Sequence, residues 1–295
     1  MAETAALPTP TTLRTWRQAN INSVAASAVN NFQIATQNNI HGVQLRFASA
    51  VPAVLSRAEL IVDVASVRAW LNGELVYDRT ATEALDMYKF HFDKYGALAA
   101  PLGVISISFM NANLPVFDQR RGFALGMKKA SGGWNTLTME VTMTAGAVTA
   151  ATCEVQVITD VYQAEVTGAH MRRLRTTRDL TGTGQIHVPN LKTEFHGIAG
   201  YHIVDGNPTR VQVSRNGDMI YKDLSLDSLA IMMDQAGRTP QTGYTHIPFD
   251  LSNDLHCYER LGMDVKNWDV ELTSAVAPGA GTVILSEEVH TTIAE

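Results

Sequence analysis

The sequence predicts an all-β protein that contains two copies of one unit. In many short segments apolar residues alternate with polar ones, which places the apolar side chains on one face of a half-buried strand. Gly, Asn, Asp and Pro separate these segments, a pattern typical of a sandwich or barrel of short strands. An internal repeat divides the 295 residues into two similar halves.

Predicted strands occur in both halves of the chain and are separated by a break. Alternation starts near Asn30, stops between about 160 and 200, and then resumes. Strands are predicted at 32–34, 43–47, 60–64, 104–109, 137–143 and 153–158, and then at 211–213, 244–249, 270–272 and 283–285.

Two segments without alternation are predicted to lie outside the units. The N-terminal segment, rich in Ala, Thr and Pro, is expected to form a loose arm with one or two helical turns after Pro10. The segment between the halves contains a Thr-Gly-Thr-Gly run and is expected to form a connector with a helix over 161–174. The predicted arm, first unit, connector and second unit span 1–29, 30–162, 163–197 and 198–295.

The internal repeat is clearest in two segments of equal length. Residues 67–85 have the sequence VRAWLNGELVYDRTATEAL and residues 211–229 have VQVSRNGDMIYKDLSLDSL, aligned without a gap at the offset of 144 that leads from Asn72 to Asn216. Both contain Asn-Gly, the preferred pair for a tight hairpin, because both residues tolerate a positive φ. Each segment therefore predicts a strand, a hairpin turn, a returning strand that ends in Tyr, and a short helix led by Glu or Asp.

Composition excludes several classes of protein. Hydrophobic residues make up 45% of the chain, which is ample for a core and excludes a disordered protein. A net charge of −6 argues against a protein that wraps nucleic acid. Cys153 and Cys257 are too few for a disulfide scaffold, which fits folding in a reducing compartment. Residues 1–10 do not form a secretory signal, and no apolar stretch reaches the about 20 residues of a membrane span.

Motifs for catalysis are absent from the sequence. The nine histidines form no H-E-x-x-H pattern, and there is no G-x-S-x-G elbow, phosphate loop or dinucleotide fingerprint. His187, His196 and His202 lie near one another, but their spacing fits solvated or hydrogen-bonded histidines better than metal ligands. We therefore expect no enzyme activity and assign no catalytic, cofactor-binding or metal-binding residue.

Asp250, Asn253 and Asp254 are the only acidic and amide group that suggests a cation. Their oxygens could bind Ca²⁺, which takes six to eight hard ligands. The same residue types also form turns after a strand without an ion, and the spacing lacks the glycine and terminal glutamate of an EF-hand. The turn interpretation is therefore favoured.

Clustered arginines suggest two further contacts. One cluster could bind phosphates or lipid headgroups, or could cap a helix and pair with carboxylates of a neighbour; the absence of interleaved aromatic residues favours pairing. This cluster comprises Arg172, Arg173, Arg175 and Arg178. A second cluster could dock at a membrane surface or pack under a partner subunit, and it comprises Leu13, Arg14, Trp16 and Arg17.

With these features the chain resembles the double jelly-roll major capsid proteins of icosahedral viruses that have an internal membrane, and most closely the major coat proteins of the corticoviruses. The resemblance covers roughly Ile21 to Val289. It depends on the segments Ile21–Phe47, Val67–Leu75, Gln119–Gly126, Met171–Arg173 and Gly200–Ile203.

The resemblance implies a fold and a function. Each chain would contain two tandem eight-stranded jelly-roll β-barrels, with short helices in the N-terminal arm and the connector. Three chains would form a pseudo-hexameric capsomer, and capsomers would tile an icosahedral shell around the internal membrane of a bacteriophage. The implied partners are two further copies, neighbouring capsomers, minor capsid, penton or membrane proteins, and lipid headgroups, without sequence-specific nucleic acid. The implied location is the virion capsid after synthesis in the host cytoplasm, and structural calcium occurs in this group without ligands that can be assigned here.

Two other functions fit an all-β chain. A tandem β-sandwich carbohydrate-binding protein, lectin-like or an adhesin, would expose aromatic side chains, but Trp70, Trp134 and Trp268 lie in or beside predicted strands, where packing in the core is expected. A β-sandwich glycoside hydrolase would need two carboxylates about 5–10 Å apart, and the sequence singles out no such pair.

Overall fold

The computed structural model describes most of the chain. The described residues are 14–34, 36–50, 55–92, 103–110, 123–129, 133–146, 148–160, 169–189, 191, 197–251, 258–261 and 264–291.

Sixteen strands and three helices lie within these residues. The first eight strands are β1 (Arg14–Ser23), β2 (Val29–Ile34), β3 (Ile40–Ser49), β4 (Val64–Leu71), β5 (Glu74–Thr80), β6 (Val104–Ser108), β7 (Leu137–Met143) and β8 (Ala150–Thr159). The second eight are β9 (Ala169–Leu180), β10 (Gly184–His187), β11 (Gly197–Val204), β12 (Arg210–Arg215), β13 (Asp218–Ser225), β14 (Tyr244–Pro248), β15 (Trp268–Ser274) and β16 (Gly279–Thr291). The helices are α1 (Arg57–Asp63), α2 (Ala81–Phe92) and α3 (Leu226–Gln235).

Each set of eight strands forms a jelly roll of two four-stranded sheets. The first unit has the strand orders β1-β8-β3-β6 and β5-β4-β7-β2, and the second unit has β9-β16-β11-β14 and β13-β12-β15-β10, which is the same order eight strands later. A single parallel pair, Tyr77 with Arg173, joins β5 to β9 and makes one eight-stranded sheet across both units. The predicted double jelly roll is confirmed, although the sheets are open and do not close into barrels.

The Asn-Gly hairpins are confirmed in both units. Asn72 and Gly73 have φ of 52° and 86°, and Asn216 and Gly217 have φ of 51° and 89°, as a type I′ turn requires. Both asparagine side chains accept hydrogen bonds from the loop before the seventh strand of their unit, for example from the Thr136 amide at 2.9 Å. These side chains are therefore needed to hold neighbouring loops as well as to turn the chain.

The offset of 144 residues holds only as far as Tyr77 and Tyr221. The strand pairings shift it to 145 beyond this point, because β13 contains one residue more than β5. The extra residue lies next to Asp223, whose φ of 49° is unusual for a strand. The ungapped alignment is therefore wrong from the ends of these strands into the helices: Ser225 and not Leu224 corresponds to Thr80.

Helix α2 belongs to both cores. Ala84 and Leu85 pack into the core of the first unit, whereas Met87 and Phe90 pack into the core of the second. The helix thus joins the two units through its two faces.

Three local predictions are wrong. Residues 60–63 are helical and not extended, because Ser56 and Glu59 form a capping box that starts α1. Helical turns are predicted after Pro10, but β1 runs along β8 from Arg14. The helix predicted over 161–174 is wrong for 169–174, which belong to β9; residues 161–168 lie outside the described residues. Strands β9 and β10 lie inside the predicted connector and pair with β16 and β15 of the second unit.

Candidate functional site at the seam between the two units

Buried polar residues collect where the two jelly rolls meet. We call this set the seam; each of its residues is at most 6% exposed. The seam comprises Tyr77, Arg79, Glu83 and His91 of the first unit and Arg173, His202, His246 and Glu287 of the second. Burial of so many ionisable groups costs free energy unless each of them has a hydrogen-bonding or oppositely charged partner. The two units must therefore supply complementary groups to the seam.

Glu287 is the centre of the seam. His91 Nε2 lies 2.7 Å and Arg173 Nε 2.9 Å from its Oε1, and His202 Nε2 lies 3.7 Å from its Oε2. Burial alone would raise the pKa of this carboxyl, but the adjacent His91 and Arg173 hold the pKa well below its usual range. Glu287 is therefore ionised at neutral pH and anchors donors from both units.

A chain of hydrogen bonds determines which nitrogens of two seam histidines carry protons. The Gln241 amide donates to His246 Nε2 at 3.0 Å, and His246 Nδ1 lies 2.7 Å from His202 Nδ1. Because an amide can only donate, neutral His246 carries its proton on Nδ1 and donates it to His202. His202 then carries its own proton on Nε2, which faces Glu287. Burial lowers the pKa of both histidines, which favours these neutral forms.

This proton arrangement does not fit a metal centre. His91, His202 and Glu287 place ligand atoms within 4.8 Å of one another, the one such group among the described residues. A metal needs a lone pair on each ligating nitrogen, but His202 Nε2 carries a proton and Glu287 Oε1 already accepts from Arg173. The arrangement can hold two protein units together, and we assign no metal to it.

Two ion pairs border the seam. Arg172 donates to Glu74 at 2.6 Å and Arg175 donates to Glu83 at 3.0 Å, in both cases from β9 to the first unit. With the contact of Arg173 to Glu287, they confirm pairing with carboxylates for three of the four arginines, whereas the predicted helix cap is wrong because the cluster lies in strand β9. Arg178 instead donates to backbone carbonyls of residues 177 and 189.

Most of the histidines and acidic residues that the sequence suggested as candidate ligands do not belong to the seam. His187 is exposed and lies 3.9 Å from Asp269, so of the two described members of that predicted group only His202 belongs to the seam; His196 lies outside the described residues. Asp250 is buried and pairs with Arg238 at 2.6 Å. Its companions, residues 253 and 254, also lie outside the described residues, and a calcium site there stays a prediction.

Side chains of the N-terminal aromatic cluster are also not described. Leu13 lies outside the described residues, and Arg14, Trp16 and Arg17 are known by their backbone positions in β1 alone. Membrane contact of this cluster stays a prediction. None of the described helices is long and apolar enough to cross a membrane.

The cavities give little room for a substrate at the seam. A cavity of about 20 Å³, lined by Arg79, His91 and Arg173 among others, has room for about one water molecule. A larger cavity of about 480 Å³ lies beside Trp134, which is 37% exposed, and has polar neutral residues such as Gln33 and Asn135 in its wall. Trp268, in contrast, is buried and donates to Tyr201, as expected of a core residue.

Sequence reasoning could not find the seam. Its histidines come from α2, β11 and β14, and its carboxylates from α2 and β16, so their sequence spacing carries no signal. The only hint is the set of arginines in β9, whose partners become visible in the folded chain.

Comparisons with known proteins agree with this fold. Residues 15–162 match the family model of the viral coat protein P2 N-terminal domain, and residues 171–286 match that of the viral coat protein P2 C-terminal domain. None of the curated proteins matches the sequence.

Among solved structures, the chain is similar to the major capsid protein P2 from bacteriophage PM2, with 17% identity, a TM-score of 0.77, and coverage of 95% of this chain and 98% of that one. It is also similar to a chain in the atomic structure of Sulfolobus turreted icosahedral virus, with 12% identity, a TM-score of 0.63, and coverage of 94% and 90%. The Faustovirus major capsid protein is 9% identical, with a TM-score of 0.55 and coverage of 99% and 92%. At these identities the structural likeness concerns the fold.

Proposed function

Because the chain belongs to the viral coat protein P2 family, we propose that three copies of it form a capsomer from which an icosahedral shell is built. Its role is that of a structural viral major capsid protein, and its place is the virion capsid. The carbohydrate-binding alternative is not supported, because both halves of the chain match coat protein domains.

The observation that carries the proposal is the pair of jelly rolls with one strand order, held side by side by a buried seam. One chain thus presents two similar units to its neighbours. Three chains would present six, which gives a nearly hexagonal block from a trimer. Such a block can tile a closed shell with few kinds of contact.

Further partners follow from the same proposal. Capsomers would contact one another, the minor capsid or penton proteins, and an internal lipid membrane whose headgroups meet the inner face. The chain would be made in the host cytoplasm, where its reduced Cys153 is compatible with the absence of disulfides among the described residues. Structural calcium remains part of the proposal without assigned ligands.

Light scattering of the purified chain tests the trimer. We expect one species of about three times 32.1 kDa at micromolar concentration, because the units of a capsomer bury large lateral surfaces. A monomer that persists at this concentration would contradict the proposal. The buffer should be at neutral pH, where burial, which lowers the pKa of His202 and His246, keeps these two histidines neutral.

A further inference from the structure

Three pairs of residues face each other across the seam within one chain. Glu74 accepts from Arg172 at 2.6 Å, and Asp86 accepts from the Tyr244 hydroxyl at 3.1 Å. Between these two contacts Arg79 donates to the Ser286 carbonyl at 3.1 Å, which places its guanidinium beside Glu287, whose buried charge attracts it. The pairs, first unit before second, are therefore Glu74 with Arg172, Arg79 with Glu287, and Asp86 with Tyr244.

The second unit carries equivalents of the three first-unit residues on β13 and α3. Strand pairing makes Asp218 the equivalent of Glu74, because each is the first residue after the Asn-Gly turn. Beyond the extra residue in β13 the equivalents of Arg79 and Asp86 are Leu224 and Ile231. β13 is the last strand of its sheet among the described residues, so this side of the unit has no neighbour within the described chain.

The first unit likewise carries equivalents of the three second-unit residues. Gly42 in β3 and Gly200 in β11 each follow an irregularity in the pairing with the eighth strand of their unit, and this shared feature aligns the two units independently of the hairpins. Following the strand pairings outward from these glycines, the equivalents of Arg172, Glu287 and Tyr244 are Arg14, Ile158 and Val104.

The equivalent residues are complementary in chemistry. The equivalent of the Glu74–Arg172 pair keeps its opposite charges, since Asp218 is acidic and Arg14 is basic. The two inner pairs change from polar to apolar on both sides at once, to Leu224 with Ile158 and to Ile231 with Val104. Ile231 is 59% exposed and the other three are half-buried, so apolar surface is available on both sides.

We propose that Asp218, Leu224 and Ile231, the leading surface, bind Arg14, Ile158 and Val104, the trailing surface, of a second copy of the chain. The contact repeats the internal seam between chains, with apolar pairs in place of its buried charges. Removing those charges lowers the desolvation cost of association, because apolar surface is favourable to bury and unpaired ions are not. The inference rests on the proposed coat function and names the surfaces by which copies join.

Such a contact is head to tail, so it must either close into a ring or continue into a filament. A ring of six units, supplied by three chains, closes if the internal seam and the contact between chains each rotate the next unit by about one sixth of a turn. The surfaces therefore explain a trimer without any additional interface.

Substitution of Ile231 tests the leading surface, measured by light scattering over a dilution series. Ile231→Asp places an unpaired charge in the contact, and we expect the concentration of half-dissociation to rise about 100-fold or more. Val276→Asp is the matched control, because Val276 is 72% exposed, lies between β15 and β16, and belongs to neither surface. We expect this control to associate like the wild type.

Charge exchange tests the pairing itself. Asp218→Arg sets like charges against each other and should weaken association about tenfold or more, whereas Asp218→Arg combined with Arg14→Asp should restore it. Thermal unfolding of each variant checks that the exposed substitutions leave the fold intact. A wild-type monomer would overturn the proposed function and the inference together. A wild-type trimer whose Ile231→Asp variant associates as well as the Val276→Asp control, or an exchange that restores nothing, would overturn the inference alone.

Discussion

Replacement of Glu287 by Gln is expected to lower the free energy of unfolding by about 3–5 kcal/mol, the cost of removing one partner from a buried ion pair. Glu287 is 2% exposed and compensates the charge of Arg173, while Arg79 lies close by in the same buried region. Glutamine keeps the shape but removes the negative charge, so Arg173 remains buried without its paired carboxylate, and Arg79 keeps only Glu83 of the two carboxylates that attract it. The loss should open the seam and separate the units.

Urea unfolding at one fixed protein concentration measures this effect, since oligomer stability depends on concentration. Glu140→Gln is the control, because Glu140 lies 3.5 Å from Arg68, whose side chain is 44% exposed, and loss of this pair should cost less than about 1 kcal/mol. If Glu287→Gln destabilises the protein no more than Glu140→Gln does, the seam does not hold the units together.

Mild acid is expected to destabilise the protein strongly between about pH 6.5 and 4.5. Burial lowers the pKa of His202 and His246, and it lowers the pKa of His170 to about 3, with further lowering from His290 and Arg172. In the unfolded chain each histidine titrates near pH 6.5, so below this pH unfolding takes up protons that the folded state rejects. Stability is full above about pH 6.5 and falls as the pH decreases, by up to about 1.4 kcal/mol per pH unit for each histidine.

Neighbouring charges act in opposite directions on the protonation of His202 and His246. His91, Arg79 and Arg238 repel an added proton, whereas Glu287 attracts it. A proton on either ring would also set two donors against each other, because His246 Nε2 accepts from Gln241 and His202 Nδ1 accepts from His246. Protonation of His202 or His246 therefore requires that the hydrogen-bond chain break first.

Urea unfolding from pH 7.5 to 4.5 measures this pH dependence. The wild type should lose stability steeply below pH 6.5, and His202→Asn, which cannot titrate, should start from lower stability but show a shallower slope. Equal stability at pH 7.5 and pH 5, or the same slope in both proteins, would contradict the role of the buried histidines.

The fold could be predicted where local chemistry determines local structure. The Asn-Gly turns at Asn72 and Asn216 require positive φ, and the repeat around them located corresponding strands and helices in both units. β9 could not be predicted, because its long polar side chains find their partners Glu74, Glu83 and Glu287 only in the folded chain.

The seam was beyond sequence reasoning for a similar physical reason. His91 and Glu287 are almost 200 residues apart in sequence yet 2.7 Å apart in space. No periodicity or spacing brings such residues together, since their contact depends on how two complete units pack. The extra residue of β13 also could not be predicted from the sequence. This one bulge changes which residue of α3 corresponds to Asp86.

Electron microscopy of the purified oligomer tests the central claim most directly, that the seam inside the chain is repeated between chains. Class averages viewed along the symmetry axis should show a closed ring of six similar lobes with threefold symmetry, in which internal seams alternate with contacts between copies. A two-fold dimer, an open filament, or a ring whose lobes are not joined through the leading and trailing surfaces would contradict it.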